Sequence, residues 1–498
     1  MDVWTARGVA GLLVLSLGAG GCTVGSGAGP LDGFVLRDAD ASSDAVGDAA
    51  PDGAPDPGGE LPLDGGPTPD ALDPDGLLDA DGLLDADGLL DSGGDGEVAA
   101  DASDAELPPD VGPPELCNGI DDDGDGLVDT GCGPPYSASA GAVVHDLGLV
   151  DVGNGKVSAA RVFGLGEGAS AFDIVLLDAD GSNENLAVWQ LFDPVGALVA
   201  AVSEPFGHEV RDLPGFATAV VQVPDRGGYL PPPGLWTFTL FRNGGSSHVW
   251  ARVVENRRPA PTASEIDLNL WFVGLDEGLD ASTAPTDPDF QAVLSNLAGR
   301  LAAFGITVGA TEYFDVTGVD AQKYSYLDLA TAPLVPGEDS ELVKLSHSLP
   351  QTNRGLDFFF VMGVSVQGVV AKAGSIPGPP LHHGVVGSGV IVSMANYFAG
   401  SKQAAAPLLG VTMAHELGHQ LGLYHTSESN GQQHDPIADT PECTEDTNQN
   451  GKVEPWECQG SGAGNLMFWA ATTGGTLTAE QLDVIHRNPA LHAPQEAP

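Results

Sequence analysis

The amino-acid sequence predicts a multidomain chain: a disordered acidic linker, then an all-β sandwich, then an α/β domain built as a mixed twisted sheet with one helix carrying the chemistry. Three observations lead there. Asp, Gly, Ala and Pro dominate residues 1–115, which hold only two basic side chains, Arg7 and Arg37. Short alternating apolar runs cut by Gly, Pro, Asp and Asn fill 136–258. From Ile266 onward, strand-like runs alternate with helical periodicity. The chain has 498 residues and a net charge of −52, which excludes the basic patches that nucleic acid or an anionic membrane surface needs.

Residues 1–22, MDVWTARGVAGLLVLSLGAGGC, have the layout of an export signal. Arg7 supplies the positive start, Val9 to Leu17 the apolar core, and small residues lead to Cys22. The apolar core is too short to span a bilayer, and no other stretch is long and apolar enough to do so. The segment resembles a bacterial lipoprotein signal, with Ala19 where such signals usually carry leucine. The resemblance implies that Cys22 is lipidated, that the chain sits at the bacterial cell envelope or surface, and that it meets a membrane only through that lipid. An ordinary secretory signal, and so a secreted protein, is the alternative. With Cys22 assigned to lipid, the other cysteines fall into two local pairs, Cys117/Cys132 and Cys443/Cys458, which an exported chain uses as disulfides.

Residues 23–115 read as the linker. Phe34 is their only aromatic residue, and Asp75–Ser92 repeats an acidic hexapeptide. Such a segment buries too little apolar surface to offset its ordering entropy. Residues 116–135 hold CNGIDDDGDGLVDTGC. Asp121, Asp123 and Asp125 alternate as calcium ligands do, Gly126 permits the turn, Asp129 falls ninth, and Cys132 stands twelfth in place of the usual glutamate. The stretch resembles a short CNGxDDDxDG calcium-binding repeat of bacterial surface proteins, which implies Ca2+ there.

In 136–258 the runs AFDIVLLDA, NLAVWQLFD, FATAVVQV, LWTFTLF and SHVWARVV are the expected sandwich strands. His208 and His248 stand alone and suggest no site. Arg257–Ser264 reads as a linker into the α/β domain, 262–490. There EIDLNLWFVG, ITVGATEYFDV, LDFFFVMGV and GVIVSMANYF are expected strands. DPDFQAVLSNLAGRLAAFG is a helix opened by Pro288 and closed by Gly305. APLLGVTMAHELGHQLGL is the second helix.

That helix and its exit contain HELGHQLGLYH, which gathers three of the chain's 12 histidines. His415 and His419 are four apart, so both rings leave one helix face and can reach one ion. Gly422 lets the chain turn through φ values other residues resist, which returns His425 as third ligand. Three neutral imidazoles leave a fourth position open, as a catalytic zinc requires. Glu416 is placed to take the proton of a water at the metal.

The stretch matches the long zinc motif of the metzincin peptidases at every fixed position, and GNLMFW (Gly464–Trp469) resembles that clan's methionine turn, with Met467 as its methionine. Within the clan, GLYHTSE followed by HDPIADTPEC is similar to pappalysin-like enzymes; Thr426 stands where astacins carry Glu. The resemblance covers about Ile266–Asn488. It implies a metzincin-like α/β catalytic domain hydrolysing protein or peptide substrate, with Zn2+ on the three histidines and Glu416 as general base. It also implies a substrate strand along a sheet edge just before the zinc helix, for which 383–392 is the candidate. His382 and His383 are expected in a solvent loop at its start, with substrate contact as the alternative. Phe468 and Trp469 are expected to wall the pocket for the side chain after the cleaved bond.

Between His425 and Met467, CTEDTNQNGKVEPWEC fits a calcium loop closed by Cys443 and Cys458. Asp446, Asn448 and Asn450 take positions one, three and five, Gly451 the turn, and Lys452 the backbone carbonyl. Glu454 stands ninth and Glu457 twelfth, where a bidentate glutamate belongs. Asp435 and Asp439 are candidates for a second calcium site. The competing reading of the whole chain is a non-enzymatic calcium-binding surface or adhesion lipoprotein.

Overall fold

The computed structural model describes residues 21–24 and 141–494, apart from 154–155, 180, 182–183, 244–247, 259–262, 330–336, 350–352, 367 and 472–474. The export signal up to residue 20, the linker from residue 25, and the Cys117–Cys132 motif with Asp121, Asp123, Asp125 and Asp129 lie outside the described residues.

Two antiparallel sheets form between residues 142 and 256. One runs Ala142–Asp151, His248–Asn256, Ala171–Asp178, Thr218–Val223; the other runs Arg161–Leu165, Gly234–Asn243, Asn185–Phe192, Leu198–Ala201. Phe163, Phe172, Trp236 and Phe238 meet edge to face between them, with ring centroids 4.9 to 6.2 Å apart. In the Ala171–Asp178 strand, Phe172, Ile174 and Leu176 enter this core. Val175 and Leu177 point the other way and pack with Trp250 and Val254 against Leu381 and Val385 of the α/β domain. A strand covered on both faces reads as a nearly continuous apolar run, as this one does apart from buried Asp173. The sandwich is thus docked on its neighbour through one outer face.

The α/β domain is a sheet with its two long helices on one side, while the short helices Gly318–Tyr324 and Glu338–Leu342 pack on the other through Tyr324 and Leu342. Strand β1 (Ser264–Val273) pairs in parallel with β2 (Ile306–Val316) and with β3 (Leu356–Val361). Next come β4 (Val369–Ala373) and β5 (Val390–Ser393): β5 runs parallel to β3, and β4 antiparallel to β5. The even residues of β1, from Ile266 to Phe272, join Phe358 and Phe360 in a core with two helices, α1 (Pro288–Ala303) and α2 (Lys402–Gln420). Trp271 and Val273 face the opposite side with Phe359, Val361 and Ile391, the period-two alternation of a pleated strand.

Local signals explain the helix ends. The Asp287 carboxylate caps α1 by accepting from Phe290 N at 2.8 Å, Pro288 follows at the first helical position, and Gly305 leaves at φ +76°. Helix α2 begins at Lys402, earlier than expected, with Ser401 as its cap and Pro407 accommodated inside. Every residue of α2 from Leu409 to Gln420 is buried, so no polar face marks it in the sequence.

Two expectations are corrected here. GVIVSMANYF is not one strand; it splits into β5 and a short helix, Ala395–Ala399. Nor is 383–392 the sheet edge, because β5 is paired on both sides. The strand outside it is β4, whose other side pairs antiparallel with Gly21–Val24; that segment in turn lies parallel to Ala470–Ala471. Cys22 stands opposite Ala371 in this pairing.

Candidate metal centre

Helix α2 presents His415 and His419 on one face, and the turn after it returns His425. His425 Nε2 lies 3.2 Å from His415 Nε2 and 3.1 Å from His419 Nε2. The opposite nitrogen of each ring is engaged. Nδ1 of His415 donates to Leu466 O at 2.6 Å, Nδ1 of His419 to Leu423 O at 2.7 Å, and Nδ1 of His425 to the Glu428 carboxylate at 3.0 Å. A carbonyl or carboxylate only accepts, so each Nδ1 carries the hydrogen and each Nε2 presents a lone pair. Three lone pairs aimed at one point repel one another unless a cation lies between them. Two nitrogens of a tetrahedral zinc site, each at 2.0–2.1 Å from the ion, stand roughly 3.3 Å apart, so the residues fit that ion. Burial, helped by His425, holds the His415 imidazole down to about 3, and burial keeps His419 well below its ordinary value. Both therefore stay in the neutral, ligating form.

The supports of this trio are laid by residues far apart in sequence. Leu423 N bonds back to Gly418 O at 2.9 Å, with Gly422 at φ +99°. A Cβ on Gly422 would also meet Gln222 Oε1 of the sandwich at 2.3 Å. Gly422 is therefore required twice, by the turn and by the docked domain. Gly422→Ala is expected to lower stability by about 1–3 kcal/mol from the backbone strain alone, with weaker zinc retention. Thermal melts of the zinc-loaded protein check this, and an unchanged melting temperature would contradict it.

Met467 is buried, and its sulfur sits where a Cβ on Gly418 would come within 2.6 Å, between the two helical histidines. Met467 O accepts from Thr426 N at 2.9 Å, and Asn465 Oδ1 accepts from Met467 N at 2.8 Å. The Gly464–Trp469 turn thus touches the helix and the segment carrying His425. Glu416 is fully buried, and its Oε2 accepts from Ala373 N, the last residue of β4, at 2.7 Å.

Glu428 belongs to no metal-binding motif in the sequence, yet it lies three residues after His425 and bonds its ring. Burial raises the Glu428 carboxyl, but His425 beside it and Arg211 more than offset this and leave it below its ordinary value. Arg211 belongs to the sandwich. Its guanidinium lies 4.8 Å from the Tyr424 ring centroid and bonds His434 O.

Other expectations fare differently. His382 and His383 are not in a solvent loop. Both are buried, His382 with its Nε2 at 3.1 Å from Arg252 Nη1 of the sandwich and His383 with its Nδ1 at 2.9 Å from Asp357 Oδ2. Phe468 walls no open pocket: it is fully buried against the Cys443–Cys458 disulfide and Val453. The Trp469 indole donates to Val453 O at 2.7 Å. Asp435 and Asp439 belong to no group of three carboxylates or imidazoles close enough to hold an ion among the described residues. Asp435 accepts from Thr440 Oγ1 and Ile437 N, and burial pushes its carboxyl up to about 7. Asp439 accepts from Glu480 N.

In the loop after Cys443, Asp446 accepts from Asn450 N and Gly451 N, and Asn448 Oδ1 from Asn450 N. Asn450 Oδ1 accepts from Lys452 N, while Glu457 accepts from Thr447 N, Asn448 N and Glu454 N. The expected ligand side chains are thus folded over the loop backbone.

No family model and no curated protein matches this chain. Among solved structures, archaemetzincin from Methanopyrus kandleri aligns at 12% identity and TM-score 0.23, over 46% of this chain and 90% of that one. Metalloproteinase-II from Bacteroides fragilis aligns at 14% identity and TM-score 0.24, over 46% of this chain and 60% of that one.

Proposed function

We propose that this chain is an exported, surface-tethered zinc endopeptidase that uses Glu416 as its general base. The observation that carries the reading is the convergence of the His415 and His419 Nε2 lone pairs on that of His425, at 3.2 and 3.1 Å, beside a buried glutamate on the same helix. Zinc, when bound there, supplies Lewis acidity and lowers the pKa of a water in its open position. Glu416 takes the proton of the attacking water and delivers it to the leaving amine. Substrate lies as a strand along β4, where Ala373 N already touches Glu416. The seating of Gly21–Val24 between β4 and Ala470–Ala471 supports this, since a short extended segment fits that groove. Digestion of a peptide mixture by the full chain tests the reading. Internal cleavages sensitive to a zinc chelator are expected; none by the zinc-loaded protein would leave the non-enzymatic lipoprotein.

Calcium belongs to the same proposal. Asp446, Asn448, Asn450, the Lys452 carbonyl, Glu454 and Glu457 form a structural site that fixes the segment between His425 and Met467. The Cys443–Cys458 disulfide closes it with Cα atoms 5.6 Å apart, worth roughly 3 kcal/mol in the chain-entropy model. Calcium at a hundredfold excess over Kd is expected to add about 2.7 kcal/mol, and Glu457→Gln to blunt that response. Melting curves of zinc-loaded protein with and without calcium decide; indifference to calcium would reduce the loop to a disulfide-pinned turn.

A further inference from the structure

Among the described residues one other group of metal-ligating side chains converges, away from the three histidines: Glu265, Asp267 and His492. Glu265 and Asp267 are two apart at the start of β1, so both leave the same face of the strand. Ile266 and Leu268 take the other face, into the helix-covered core. The C-terminal segment returns to this point. Glu265 N bonds His492 O at 2.8 Å and His492 N bonds Glu265 O at 3.0 Å, which makes the two residues direct cross-strand partners. His492 Nδ1 then lies 3.9 Å from Glu265 Oε1, and Nε2 lies 3.4 Å from Asp267 Oδ2. Gly309 opposite keeps room for both carboxylates: a Cβ there would come within 2.4 Å of Asp267 Oδ1 and 2.7 Å of Glu265 Oε1.

The ring of His492 is the telling feature. It is 2% exposed, its Nδ1 bonds Ala493 O at 3.0 Å, and its Nε2, 3.4 Å from Asp267 Oδ2, makes no well-directed hydrogen bond. With the hydrogen on Nδ1, the lone pair of Nε2 faces a carboxylate oxygen, a repulsive arrangement in a buried place. His415 and His419 show the same pattern, with Nδ1 spent on a backbone carbonyl and Nε2 left to a metal. Arg354 Nε bonds Asp267 Oδ2 at 2.7 Å, and Ala310 N bonds Oδ1 at 2.7 Å. Arg354 offsets one of the two negative charges and leaves one.

We infer that Glu265, Asp267 and His492 form a second metal site, for a divalent first-row transition ion, that clamps the C-terminal segment onto β1. One imidazole and two carboxylates suit zinc or manganese, and half-buried Glu265 leaves solvent access for water ligands. The test counts zinc in full-length protein after loading and exhaustive dialysis. Wild type is expected to retain two equivalents and His492→Gln one. The double variant His419→Ala/His425→Ala, which lacks two of the three helix-site ligands, is expected to retain one equivalent, and adding His492→Gln to it none. Circular dichroism checks each fold, and if the double variant fails to fold, the wild-type and His492→Gln comparison decides alone. Equal zinc in wild type and His492→Gln, no zinc in the folded double variant, or zinc persisting in the triple variant would each overturn the site. The cluster would then be an ion-pair network only.

Discussion

Glu416→Ala is expected to bind zinc as the wild type does and to lose peptide hydrolysis by at least the order of 10²–10⁴-fold that a positioned base contributes. The ligand rings do not depend on Glu416, because their orienting bonds go to Leu466, Leu423 and Glu428. The carboxylate itself is fully buried and oriented by Ala373 N. Removing it leaves that buried amide without its acceptor, at about 1–3 kcal/mol, so a modest fall in melting temperature accompanies the loss of activity. Glu416→Gln separates the two effects. It keeps an acceptor for Ala373 N and restores most of the stability, yet it takes no proton and stays inactive. Activity within about tenfold of wild type in either variant would place the base elsewhere.

His425→Ala is expected to remove nearly all zinc affinity of the helix site. Two imidazoles on α2 remain, but a closed triangle of nitrogens is what holds the ion, and His425 is the corner lying 3.1 and 3.2 Å from the other two. The loss exceeds the roughly 10–100-fold that removing an outer-shell partner costs. Glu428→Gln supplies that comparison: it keeps the ligand and weakens its hold on Nδ1. The order wild type, Glu428→Gln, His425→Ala in zinc affinity, measured by competition with a chromophoric chelator, is the expected result. Normal retention by His425→Ala would exclude the trio as a zinc site.

The parts of the site legible in the sequence are those written within one helix and its exit. The spacing of His415, His419 and His425, with Gly422 between, is local geometry, and the structure brings the three rings together. The outer strands hid for identifiable reasons. Strand β4 is five residues long and carries Lys372, a charge where a buried strand should be apolar; the structure explains it by an ion pair with buried Asp339. The apolar run in 383–392 looked like the better strand because β5 is sandwiched between two others. His382 and His383 read as surface residues because nothing nearby in sequence announces that Arg252 of the sandwich meets the one and Asp357 the other. Gln222 against Gly422, and His492 against Glu265, likewise depend on pairings across 200 residues or more, which no periodicity encodes.

The most direct measurement is hydrolysis of one cleaved peptide by metal-free full-length protein as zinc is added back, run beside Glu416→Gln. Activity is predicted to be absent without metal, to return with zinc in the wild type, and to stay absent in Glu416→Gln that has taken up the same amount of zinc. Hydrolysis by the metal-free protein, or equal hydrolysis by the zinc-loaded variant, would contradict the account.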